Sequence, residues 1–194
     1  LMNNIPKKVC AVRGALTRKY LLDRGVDCPP VYGDPALLLP LVYHPQKSEK
    51  IYTIGIIPHI TDLANENVCN LLSQSENVKL IKLCGYEHWY DIIDEINQCA
   101  FIISSSLHGI IISDAYNVPN VWVEFSDNVV GKGFKFRDYY SSVRTEIPLP
   151  VQIKETTTLS ELLLYKNQWV PINIDLNKLL SSCPFSIKPQ YISY

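Results

Sequence analysis

Short apolar, β-branched runs alternate with helix-like stretches along most of this chain, and that alternation limits the possible folds most. Residues 9–12 read as a buried strand that ends in Arg13-Gly14. Leu16, Tyr20 and Leu21 then form a short helical face closed by Gly25, a usual helix terminator. Residues 31–36 are a second strand end with a loop, in which Asp34 suits a turn. Residues 51–57 are a strand stopped by Pro58-His59, and Ala64, Val68, Leu71 and Leu72 line the next helix. Residues 78–83 are a strand, and Trp89, Ile92, Ile93 and Ile96 recur at helical spacing. A strand over 100–103, a buried helix carrying Leu107, Ile110, Ile111, Ala115 and Val118, and a strand over 121–125 follow. One strand plus one helix recurs about every 25 residues, which predicts an α/β fold with a doubly wound, mostly parallel sheet.

Elsewhere the pattern breaks. Residues 40–50 read as a linker or exposed loop. After Pro150 the alternation stops: Thr158 and Glu161 form a capping box that opens a helix, Asp175 caps a last one, and residues 184–194 read as a tail. The predicted units are 1–46, 47–150 and 151–194. The chain does not begin with Met, so it reads as the later part of a longer protein, with Met2 as the alternative start.

Composition excludes several classes. With 47% apolar residues, 19% charged and a net charge of −1, the chain is neither disordered nor suited to general nucleic-acid binding. No apolar run approaches the roughly 18 residues of a membrane span, and no signal-peptide core is visible. The six cysteines show no CxxC spacing and mostly lie in apolar segments, as buried free thiols of a cytoplasmic protein do. No metal-ligand cluster, Walker loop or GxGxxG occurs.

The chemistry gathers where strands end. At 101–109 a buried strand runs into three serines and then directly into a helix. A helix amino end offers free N–H groups and partial positive charge to a phosphate or carboxylate. Ser104, Ser105 and Ser106 can cap that helix and donate to an anion. Gly109 allows close approach, and His108 can carry a proton. The same residues equally suit a serine-capped helix with a packed histidine. Lys132, Lys135 and Arg137 are clustered between Gly131 and Asp138, in a pliable loop that either closes on an anion or lies solvated. Arg13 follows a strand and offers its fork to an anion or to Asp34. His59 also lies just past a strand, as a ligand group or a structural one. Together these positions predict one anion pocket on the carboxyl rim of the sheet.

Residues 11–17 and 21–25, Gly33-Asp-Pro-Ala-Leu-Leu-Leu-Pro40, Ile54-Gly-Ile-Ile-Pro-His59, Ile103-Ser-Ser-Ser-Leu-His-Gly109, Asp114-Ala-Tyr and Pro119 resemble the polysaccharide pyruvyl transferase family, in the family's order. The resemblance implies a GT-B-like protein of two Rossmann-like lobes, with 1–46 a remnant of the first. It implies transfer of a pyruvyl group from phosphoenolpyruvate to a sugar or lipid-linked oligosaccharide of a surface polysaccharide or capsule, usually as a ketal. No metal or other cofactor is implied. By the match Arg13 binds the donor, and Leu107-His108 is the donor-binding pair, with His108 catalytic. Ser106 stands where the family often has arginine, so Lys132, Lys135 or Arg137 takes over that charge. The family's glycine-rich opening segment is missing. Such work places the protein in the cytoplasm, with a peripheral position at the inner membrane face. The alternatives are a GT-B glycosyltransferase using a nucleotide-sugar and a non-catalytic lobe that binds an anion or sugar.

Overall fold

The computed structural model describes residues 6–45 and 49–186. Five strands form one all-parallel sheet: β1 (Ile54–Ile57), β2 (Val78–Leu80), β3 (Ile102–Ser104), β4 (Asn120–Glu124) and β5 (Val151–Gln152), in the order β2-β1-β3-β4-β5. The α-helices among the described residues are α1 (Ala15–Leu22), α2 (Glu66–Ser73), α3 (Asp91–Asn97), α4 (Leu107–Ala115), α5 (Phe134–Val143), α6 (Leu159–Leu163) and α7 (Leu176–Ser181).

The side-chain period of two divides the core. Ile54, Ile56, Phe101, Ile103, Val123 and Phe125 point to one face, where α2 and α6 add Val68, Leu71 and Leu162. Ile57, Ile102 and Trp122 point to the other, which α3, α4 and α5 cover. Helices on both faces require strands that are apolar on both sides, and all four residues of β1 are buried. The predicted doubly wound α/β class is therefore the observed one.

The strand order reverses direction between β1 and β3. The chain leaves β1 for α2 on one face and leaves β3 for α4 on the other. The two connections part, and a crevice opens between the carboxyl ends of these strands, the usual ligand position in such sheets.

Several boundaries differ from the sequence-based expectation. Residues 9–12 form no strand; Val12 makes a single parallel bridge with Tyr32. Residues 35–41 are a 3-10 helix laid against α4 rather than the start of a linker, with Leu37 and Leu39 in the core. Residues 46–48 of that predicted loop and 187–194 of the predicted tail lie outside the described residues. Trp89 precedes α3 instead of lying on its buried face and is 56% exposed. Beyond Pro150 the chain first adds β5 to the sheet and Ile153 to its core. Asp175 does cap α7, accepting from the Lys178 amide, and the Thr158–Glu161 capping box opens α6. Among the described residues no helix is long and apolar enough to cross a membrane. Of the six free cysteines, Cys28 and Cys99 are buried, Cys10 is half-buried, and Cys69, Cys84 and Cys183 are exposed, fewer buried than expected.

The amino-terminal segment is fixed to α5. The Asp138 carboxylate accepts from the Thr17 amide at 2.8 Å and from its hydroxyl at 2.7 Å. Ser142 donates to the Arg13 carbonyl. Gly14 lies against the Asp138 carbonyl so closely that a Cβ there would sit 1.7 Å from its oxygen.

Candidate active site

The crevice is built from the ends of β1, β3 and β4. The Ser104 hydroxyl donates to the Ile57 and Ser106 carbonyls at 2.8 Å and accepts from the Ser106 amide, so it braces the turn. Ser105 accepts from the His59 amide at 2.8 Å and donates to Asp62 at 3.0 Å. Asp62 is fully buried and also accepts from Ser126, at 2.5 Å, just past β4. Three strand ends are thus fixed around one carboxylate. Asp62 and Ser126 carried no signal in the sequence, being ordinary loop residues there.

Ser106 differs from its two neighbours. It stands at the amino cap of α4, yet its side chain makes no cap hydrogen bond. The first amides of any helix lack intrahelical partners, and here no side chain caps them. Ser106 lines a hollow of about 170 Å³ with Pro58, His59, Ile60, Leu63, Leu83 and Cys84. Leu107 is buried in the core and offers only its backbone. Gly109 makes room for protein rather than ligand: a Cβ there would meet the Ser104 Oγ at 2.4 Å and Ile57 at 3.0 Å.

His59 enters this hollow as a neutral donor. Its Nδ1 accepts from the Thr61 amide and lies 2.8 Å from the Thr61 hydroxyl. That network assigns the proton to Nε2. Burial first, and then the Lys135 charge, push its pKa below the ordinary histidine value. Lys135 is itself held below the ordinary lysine range by burial and by the charge of Arg13. The Arg13 charge thus acts on Lys135, and the Lys135 charge helps to keep His59 neutral.

The remaining predicted residues fall elsewhere. Arg13 lines neither this hollow nor the next; its Nε donates to Asp34 at 3.0 Å. Asp34 in turn caps the 3-10 helix, the turn-forming role expected of it. Lys132, Lys135 and Arg137 do not line the hollow, although the Lys135 charge reaches His59. The Arg137 Nη1 donates to the Lys132 carbonyl at 2.7 Å. Lys132 (φ 43°) and Gly133 (φ 71°) make a left-handed turn into α5. The expected pliable loop is thus a closed turn, and Lys135 and Arg137 belong to a helix. His108 is exposed and lines a second hollow of about 520 Å³ with Leu83, Cys84, Tyr86, His88 and Trp89 among its walls. The two hollows share Leu83 and Cys84. The single pocket expected to hold both Arg13 and His108 is instead two adjoining hollows: α4 turns Ser106 and His108 to different sides, and Arg13, paired with Asp34, lines neither.

Asp114, at the other end of α4, has a structural role. It is 1% exposed and accepts from Asn120, Tyr139, Trp169 and Arg144, the last at 3.0 Å. Burial pushes its pKa up, opposed by the Arg144 charge and the three neutral donors.

The fold is thus an α/β domain whose candidate site is a strand-end crevice with a serine-rich helix start. The model of the polysaccharide pyruvyl transferase family matches residues 2–127, and the chain belongs to that family. It is 31% identical over 138 residues to the uncharacterized protein L143 of Acanthamoeba polyphaga mimivirus, covering 70% of this chain and 48% of that protein. It is 29% identical over 131 residues to the succinoglycan biosynthesis protein ExoV of Rhizobium meliloti (strain 1021), covering 66% of this chain and 38% of that one. The chain thus spans about half or less of the curated relatives it matches. No solved structure matches it.

Proposed function

We propose that the protein serves pyruvyl transfer from phosphoenolpyruvate to a sugar hydroxyl of a polysaccharide, with the donor seated between the carboxyl ends of β1 and β3. The observation that carries this reading is the set of unspent donors there: the Ser106 hydroxyl, the first amides of α4 and the Nε2–H of His59, with Lys135 and Arg13 beyond. Phosphoenolpyruvate carries a phosphate and a carboxylate on three carbons. A helix amino end suits one group and a row of cations the other.

His108, one position past Leu107, lines the hollow that shares the Leu83–Cys84 wall with the donor seat, and it is the proton carrier. It gives its proton to the donor's methylene carbon, which becomes the methyl group. The adjacent carbon then accepts electrons from a sugar hydroxyl, and the proton of that hydroxyl returns to His108. A second hydroxyl displaces phosphate, which leaves with the second proton, and the ketal is complete. Lys135 compensates for the serine at position 106.

Titration of the chain with phosphoenolpyruvate and, separately, with a UDP-sugar while following Tm tests the donor class, since a ligand stabilises the state that binds it. Phosphoenolpyruvate is expected to raise Tm and the UDP-sugar to leave it unchanged. The reverse result makes the site a nucleotide-sugar site. Stabilisation by phosphoenolpyruvate that survives His108→Ala, together with unchanged turnover, removes His108 from the chemistry.

A further inference from the structure

We propose that the hollow beside His108 is a carbohydrate subsite in which the exposed face of Trp89 stacks against a pyranose ring of the acceptor. This rests on the donor reading above only for the word acceptor; the subsite itself rests on its own geometry.

Trp89 is 56% exposed, an unusual position for an indole in a chain of this size. It is nevertheless held in place. Its ring meets Tyr43 edge-on at 5.7 Å and Tyr90 edge-on at 5.7 Å. Tyr43 stacks on Tyr90 at 4.9 Å and donates to Asp94 at 2.8 Å. Its carbonyl also accepts from the Tyr116 hydroxyl at 2.9 Å. A buttressed indole that is more than half exposed loses little entropy when a ligand lies against it. The hollow also holds the rings of His88, His108 and Tyr86 around the indole. At about 520 Å³ it is within the usual range for small-ligand sites and larger than the donor hollow.

The chemistry of these walls selects a sugar. A pyranose presents one face of C–H bonds, which the electron-rich face of an indole attracts, and a rim of hydroxyls, which imidazoles can meet as donors or acceptors. A purely apolar ligand would leave the histidines unpaired. A phosphate or carboxylate would find no lysine or arginine among the lining residues. The shared wall of Leu83 and Cys84 sets this hollow directly beside the proposed donor seat, and His108 lines it.

The three tryptophans supply an internal control. Trp122 is buried against Phe136, and the Trp169 Nε1 donates to Asp114. Indole N–H resonances of the chain are followed while methyl glycosides of glucose, galactose, mannose and N-acetylglucosamine are added singly, to about 50 mM, a range that covers millimolar affinity. The expected result is a saturable shift of Trp89 with at least one glycoside, while Trp122 and Trp169 stay still. Trp89→Ala is expected to weaken that binding, read on the His108 ring, by about tenfold, with Trp89→Phe restoring part of it. No shift of Trp89 with any of the four, or undiminished binding in Trp89→Ala, overturns the subsite. Amide shifts at Ser106 with phosphoenolpyruvate are recorded on the same samples. Loss of those alone contradicts the donor reading, and loss of the Trp89 response alone contradicts this one.

Discussion

Both ends of α4 carry polar side chains, and the fold treats them in opposite ways. At the carboxyl end Asp114 is enclosed, with four donors on its two oxygens. At the amino end Ser106 leaves its hydroxyl unspent and His108 lies in the open. Both ends carry residues that resemble the family, so resemblance alone does not separate a brace from a binding place. The difference lies in where the hydrogen bonds go. A saturated buried group holds the fold, whereas an unsaturated group at a crevice is available to a ligand.

The largest expected effect lies at the saturated end. Asp114→Ala leaves Arg144 buried beside an empty site and is expected to cost about 3–5 kcal/mol in denaturant unfolding. A cost below about 1 kcal/mol would show that the network carries little of the stability. Next is Gly109→Ala, whose Cβ must displace the Ser104 hydroxyl and Ile57. An overpacking cost of about 1–3 kcal/mol is expected, read as a lowered Tm. At the open end the sign of the comparison changes. His59→Ala is expected to weaken phosphoenolpyruvate binding by about tenfold or more, as loss of a hydrogen bond to a charged group does, with little change in Tm.

The start of α6 offers a third case, a helix end that spends its polar groups on itself. Thr158→Ala is expected to cost about 1 kcal/mol by removing the cap. The Thr158 backbone and hydroxyl donors hold the Glu161 pKa below its ordinary value of 4.5. This contribution is present above pH 4.5 and is lost as pH falls through the lower, folded-state value. Acid titration of the Thr158→Ala variant should therefore lose only the hydroxyl's share of that slope, because the backbone N–H at position 158 still donates to Glu161. The smallest effect is Ser106→Ala, expected to shift stability by less than about 0.5 kcal/mol, since no bond is lost, while still weakening phosphoenolpyruvate binding.

The sequence made the architecture plain where the signal was long. α4 is mostly apolar and is buried everywhere except at His108 and Ala115. Residues 51–57 read as a strand because they are β-branched, although only the last four pair as β1. β5 was invisible because two residues carry no period. Residues 9–12 look like a strand but have a pairing partner only at Tyr32. At the site, strand ends identified Ser104–His108 and His59 as neighbours of one crevice. What single residues would do there depended on the turn of α4, which moved His108 to the second hollow, and on Asp62, which is tied to two other segments and has no local pattern. Trp89 fitted a helical face by spacing, and only the tertiary position of Tyr43 and Tyr90 leaves it uncovered.

The central claim is that a small dianionic donor binds between β1 and β3. Amide and imidazole resonances of the chain, followed during titration with phosphoenolpyruvate, test it most directly. Saturable shifts confined to Ser106, Leu107, His108 and the His59 ring are the expected result. Saturable binding whose shifts fall on other parts of the molecule, with these four unchanged, would contradict it.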